Sequence, residues 1–305
     1  MATHPSNSTL TGILLLLVGC QIVPLMDAFA KLLATDYPIL QIVWARFFFH
    51  FLFILPVVLW RYGRSFLRQP HLWLQLLRGG FLVGATFCFF TALKHLPLAD
   101  TLAISFVSPM LVTLLSPFVL GETVGWRRLS AVAVSFLGAL VIVRPGFAEI
   151  GIGVLGALGS AFCYACYVLA TRKLAGTAPP LVTLAYTSVV GCLVLSGIML
   201  GGGPAVWRTP DLEGLVLMAG VGLVAVVGHF LVIRAYDHAE ASLLSPFNYS
   251  EMIAAAALGY FVFNEFPDAW TWLGIAIIVA SGIYIALRER ARHAARAVVQ
   301  AAEPL

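Results

Sequence analysis

The chain has 305 residues, of which 61% are hydrophobic and only 10% charged, with a net charge of +4 and a mean hydropathy of +0.96. A water-soluble domain carries about 25% charged residues, so this chain has too few to coat a water-facing surface, and the surplus apolar surface must face lipid. Alternating strand-like segments with dividing turns do not recur, which argues against a membrane barrel and for an all-α integral membrane protein.

In chain order, the first residues are polar and carry no Lys or Arg before Leu10, so they do not read as a cleavable signal. Apolar runs of about 20 residues, enough to cross roughly 30 Å of hydrocarbon, then recur with short breaks. They fall near Thr11–Leu33, Ile39–Trp60, Trp73–Leu93, Leu98–Leu120 and Trp126–Val143. A second set falls near Gly151–Ala170, Leu181–Leu200, Gly214–Tyr236, Ala241–Phe263 and Trp270–Leu287, making ten expected transmembrane helices.

The first span holds Pro24, Asp27 and Lys31. Asp27 and Lys31 are spaced, acid first, for an ion pair on one helical face. The pair reads equally as a functional charge or as a structural lock beside a kink. The second span carries Arg46 and His50 on one face; Arg46 must find an acid, a carbonyl or water, or snorkel toward headgroups. In the third, Phe87 is an aromatic candidate, and Gly80-x-x-x-Gly84 allows close helix approach, as does Gly197-x-x-x-Gly201 further on. The fourth contains Ser105, Ser108 and Pro109. Tyr164 and Tyr167 lie well inside the sixth span, and His229 in the eighth reads as either a solute contact or a core residue.

The densest polar stretch is Ser245-Pro246-Phe247-Asn248-Tyr249-Ser250-Glu251 in the ninth span. An acid at membrane depth is costly and is functional by default, although Glu251 and Asn248 also suit interhelical bonding. Cys20, Cys88, Cys163, Cys166 and Cys192 all fall in apolar runs and read as packing residues, so no disulfide, metal or cofactor is expected.

Basic residues accumulate on one set of breaks: Arg61, Arg64, Arg68 and Arg78, then Arg127 and Arg128, Arg172 and Lys173, Arg234, and the tail Arg288, Arg290, Arg292 and Arg296. That asymmetry places both termini in the cytoplasm. The tail reads as a headgroup anchor, so no nucleic acid is expected as a partner.

The two halves also overlay. Ala92 falls on Ala235, His95 on His238, Phe118 on Phe261 and Glu122 on Glu265; Lys31 falls on Lys173 and Pro38 on Pro180. Ile104–Pro109 meets the polar stretch of the ninth span, Phe106 opposite Tyr249 and Ser108 opposite Glu251. Five spans per half is an odd number, so the halves must insert with opposite orientation, the plan of many secondary transporters.

The runs Ala30-Lys31 with Pro38 and Arg46, Ala103-Ile104-Ser105-Phe106-x-Ser108-Pro109, Gly121-Glu122, and Pro246-Phe247-x-Tyr249-Ser250-Glu251 resemble the drug/metabolite transporter superfamily in its ten-span form with two EamA domains. Asn264-Glu265 departs from the usual Gly-Glu, and Met252 stands where many relatives have proline. The resemblance implies a cytoplasmic segment 1–10, a first repeat 11–147, a second repeat 148–287 and a basic tail 288–305. It further implies a carrier in the inner membrane, a monomer or weak homodimer, moving a small molecule by alternating access and not an enzyme. Amino-acid export, including aromatic amino acids, is the leading expectation; uptake of a flavin or S-adenosylmethionine-like metabolite is the alternative. An intramembrane lipid or prenyl transferase lacks the acid clusters it would need. The expected solute contacts are Glu251, Asn248, Tyr249, Ser105, Ser108, Tyr164, Tyr167, His229 and Phe87, with Asp27, Lys31 and Arg46 as coupling or structural charges and Pro24, Pro109 and Pro246 as hinges.

Overall fold

The structure is a computed structural model. It describes all residues except 1–4, 68–69, 122–124, 144–150, 175–176, 203–205, 240–243 and 303–305. At 5–8, 67, 127–128, 180, 245–246, 285–286 and 288–302 it describes the backbone alone. Expectations for Arg68, Glu122 and Arg144, and for the side chains of Arg127, Arg128, Pro180, Pro246 and the tail arginines, lie outside the described residues.

The described residues form helices and turns: α1 (Pro5–Leu33), α2 (Ile39–Tyr62), α3 (Leu72–Leu93), α4 (Leu98–Ser105), α5 (Ser108–Leu120) and α6 (Trp126–Val143). They continue as α7 (Ile152–Lys173), α8 (Pro180–Gly202), α9 (Leu212–His238), α10 (Glu251–Phe263) and α11 (Ala269–Ala302). By length and composition 7 spans suit a membrane crossing, with α4 and α5 together forming one of them. α6, α10 and α11 are further apolar helices. α1 begins at Pro5, so helix already occupies part of segment 1–10, and α11 carries helix through the basic tail to Ala302.

Two of the expected continuous spans are broken. The fourth divides at Phe106 and Val107, and Pro109 sits in the first turn of α5, where proline costs no hydrogen bond. The ninth opens as a short 3-10 turn, Ser245–Ser250, before α10 begins at Glu251. Pro24 instead lies within a helix that continues past it. The broken pair ends alike: α5 stops on Gly121 (φ 69°) and α10 on Asn264 (φ 55°), both left-handed. Only glycine adopts that conformation freely, and asparagine is among the side chains that tolerate it best. The departure from Gly-Glu thus keeps the same helix stop.

Packing follows one rule. α1 lies along α9 and α3 along α7; α2 meets α8 and α9, α3 meets α8; α1 meets α10 and α5 meets α7; α6 pairs with α11. For these pairs, exchanging each helix before residue 148 with its counterpart after it returns the same set, whereas α1 with α3 and α2 with α3 have no matching pair of comparable extent among the described residues. Small residues make the close seams, as expected where lipid supplies no hydrophobic drive between helices. A side chain at Gly19 would meet Val232 at 3.2 Å, and one at Gly156 would meet the Cys88 carbonyl at 2.8 Å. Gly138 and Gly274 bring α6 and α11 together in the same way. The GxxxG pairs are used less than expected: Gly84 faces Cys163, but Gly80, Gly197 and Gly201 face open space.

Candidate functional site

The polar side chains that matter come from α1, α2, α3, α7, α9 and α10. From α1 comes Asp27, 3% exposed. From α10 comes Glu251, at the first residue of the helix. Each carboxylate lies within electrostatic reach of the other, and Arg46 of α2 is the cation that acts on Asp27. Among the described residues neither acid has a hydrogen bond or an ion pair. The expected Asp27–Lys31 pair is therefore corrected. Lys31 turns away to the helix end, where its Nζ donates to both Glu265 oxygens (2.8 and 2.6 Å) and to the Leu96 carbonyl (2.9 Å). Glu265 offers two oxygens beside a free backbone carbonyl, so it satisfies the ammonium better than Asp27, one turn deeper on the same helix, would.

Arg46 does not snorkel. It is 6% exposed, donates through Nη1 to the Thr86 hydroxyl, and stands 5.5 Å from the Phe47 ring and 6.0 Å from the Phe90 ring. Its Nε has no acceptor among the described residues. Next to it, His50 stacks on His229 with ring centroids 6.1 Å apart, and His50 Nε2 is also without a partner. His229 is thus half of a histidine pair from α2 and α9, a juxtaposition that spacing within one span does not reveal.

Arg78 was expected to flank a cytoplasmic break and is instead buried, at 4% exposure. Each of its three nitrogens donates to a neutral group: Nε to Thr171 Oγ1 (2.7 Å), Nη1 to the Thr183 carbonyl (2.9 Å) and Thr187 Oγ1 (2.7 Å), and Nη2 to the Tyr167 hydroxyl (2.7 Å). It also lies 4.6 Å from the Tyr167 ring centre, so it fixes that tyrosine by two contacts. Tyr167 in turn faces Tyr164, centroids 5.5 Å apart. Tyr164 leaves 43% of its surface free. Arg46 and Glu251 both act on Tyr164, so the tyrosine lies within electrostatic reach of each.

The other expected contacts divide. Tyr249 is tilted against Phe106 at 5.2 Å, and its hydroxyl end lies against Gly282 of α11. Asn248 bridges helices: its Oδ1 lies 3.9 Å from Cys20 Sγ of α1, and Tyr236 of α9 hydrogen-bonds to it. Gln21 holds the same turn by donating to the Ser250 carbonyl (3.0 Å) and hydroxyl (3.3 Å). Ser105 donates back to the Thr101 carbonyl of its own helix (2.9 Å), and Ser108 is buried in the first turn of α5. Phe87 is not brought to these residues by any contact among the described residues; it lies about two and a half turns beyond Arg78, hence on the opposite face of α3, and is 41% exposed.

No group of three or more metal-ligating side chains occurs among the described residues. With the geometry established, known proteins supply context. The model of the EamA-like transporter family matches twice, over residues 10–144 and 151–287. An S-adenosylmethionine uptake transporter of Rickettsia prowazekii is 26% identical over 281 residues, 92% of this chain and 94% of that protein. A riboflavin transporter of Rhizobium johnstonii is 27% identical over 96% of both chains. A pseudopaline exporter of Pseudomonas aeruginosa is 29% identical, covering 90% of this chain and 95% of its own. A solved crystal structure aligns over 93% of this chain and 98% of its own at a TM-score of 0.64 with 21% identity, a likeness of fold.

Proposed function

We propose that this chain, which belongs to the EamA-like transporter family, is a secondary carrier that moves a small organic metabolite across the bacterial inner membrane by alternating access. The observation that carries this reading is the closeness of Asp27 and Glu251, acids from the two family-model matches that come within electrostatic reach of each other without a bonded partner among the described residues. Carboxylates at membrane depth are costly to keep. A solute bringing an amine or other cationic centre offsets that cost during its passage. Tyr164 and Tyr167 offer a planar ring a stacking surface beside the acids.

The proposed architecture is ten spans in two inverted five-helix halves with both termini cytoplasmic. The exchange of packing partners between halves and the distribution of basic residues support it. The breaks at Phe106–Val107 and Ser245–Ser250, beside Pro109 and Pro246, are the proposed pivots. Uptake of a ring-bearing cationic metabolite, of the S-adenosylmethionine kind, fits acids and aromatic wall together. The second reading is export of amino acids or their derivatives, favoured by the buried Arg46 beside the acids.

The test is counterflow in proteoliposomes preloaded with S-adenosylmethionine, riboflavin or an aromatic amino acid. A transient overshoot of labelled solute for a ring-bearing cation supports the carrier. Steady one-way leakage identifies a channel, and flux equal to empty liposomes for every solute contradicts the proposal.

A further inference from the structure

We infer that Arg46, backed by the His50–His229 pair, forms a carboxylate-binding subsite beside Asp27 and Glu251, so that the solute is a zwitterion. The inference rests on the carrier reading for the site's access to solute.

The comparison of two buried arginines carries it. Arg78 shows how this fold satisfies a guanidinium whose task is structural: Nε and both Nη atoms donate to threonines, a carbonyl and a tyrosine. Arg46 is as deeply buried, yet its one bonded partner among the described residues is the neutral Thr86 hydroxyl, and its Nε meets no acceptor. Arg46 keeps its charge, so an unfilled donor there is expensive. His50 Nε2, unpartnered too, lies in the same cluster. Asp27 is close enough to act on Arg46 and is not bonded to it, so both charges stay available. A planar guanidinium fork matches a carboxylate in two parallel hydrogen bonds, which is the acceptor this cluster lacks.

The neighbouring acids point the same way. Asp27 acts on both Arg46 and Glu251, and none of the three is bonded to another, so acids and guanidinium stand together unpaired. A solute carrying an ammonium or sulfonium and a carboxylate answers both poles, with its ring against Tyr164 and Tyr167. A cation lacking a carboxylate leaves Arg46 unmatched, and a neutral flavin answers neither pole.

The experiment uses the purified full chain in detergent and measures binding by thermal stabilisation against two matched pairs: S-adenosylmethionine with its decarboxylated form, and tryptophan with tryptamine. The carboxylate-bearing member of at least one pair should bind about tenfold or more tightly. Arg46→Gln should remove that preference by weakening this member alone, and Arg46→Lys, which keeps the charge for folding, should reduce it several-fold. Equal binding within each pair, binding of no member, or a preference unchanged in Arg46→Lys and Arg46→Gln would overturn the subsite. The predicted preference without counterflow in proteoliposomes would uphold the subsite and count against the carrier.

Discussion

Phe106 and Tyr249 occupy equivalent positions in the two halves of the chain, and their rings touch, with centroids 5.2 Å apart. The contact joins the turn between α4 and α5 to the turn that precedes α10. A double-mutant cycle on Phe106→Leu and Tyr249→Leu should give a coupling energy of about 0.5–1.5 kcal/mol in thermal unfolding, the worth of an aromatic pair beyond its buried area. Strict additivity would remove the contact from the fold's supports.

The Lys31–Glu265 ion pair ties α1 to the segment after α10 and, through Leu96, to the turn between α3 and α4. Lys31→Met or Glu265→Gln should each destabilise by about 1–3 kcal/mol, because each leaves a partly buried polar group without its charged partner. The double variant should cost less than the two singles together. Asp27→Asn should leave this part of stability untouched, which separates the observed pair from the Asp27–Lys31 pair expected from spacing.

Asn264 holds a left-handed conformation at the end of α10, as Gly121 does at the end of α5. Asn264→Gly should be neutral or slightly stabilising. Asn264→Val should cost about 1–2 kcal/mol through the clash of its branched Cβ with the backbone. Chemical or thermal unfolding of the two variants checks this.

Asp211 caps α9 outside the spans. Its Oδ1 accepts from the Gly214 N–H (2.7 Å) and from the Tyr37 hydroxyl (3.1 Å), the Gly214 bond above all holding its carboxyl below the usual carboxylate range. A depressed value in the folded state stabilises at pH above the unfolded carboxylate range, around 4, and that contribution is lost as pH falls below it. Asp211→Ala should lower the melting temperature at neutral pH, and the gap to the unmodified chain should close on acidification to about pH 3.

Much of the fold was legible because its signals are local. Apolar run length marked the apolar helices, while proline and polar residues at 104–109 and 245–251 marked bends in spans that the structure breaks outright. The candidate site was legible only where a residue type is costly in any arrangement, as with Asp27, Arg46 and Glu251. Choice of partner was not legible. Lys31 found Glu265 across the chain instead of Asp27 on its own helix, and Arg78, read from its place near a break, turned inward onto three threonines and a tyrosine. Helical spacing fixes which side chains share a face and leaves open which face meets which neighbour. For the same reason Phe87 and Arg78 shared a helix while pointing opposite ways, and His229 acquired a partner from another span.

Glu251, with Asp27, carries the proposed solute path. Counterflow should be compared in proteoliposomes holding equal amounts of folded unmodified chain and Glu251→Gln, with the solute that the unmodified chain exchanges best. The initial exchange rate of the variant should fall by about tenfold or more, with melting temperature retained or raised by removal of a buried acid. Equal exchange by both proteins would contradict the assignment of Glu251, and with it the site between the halves.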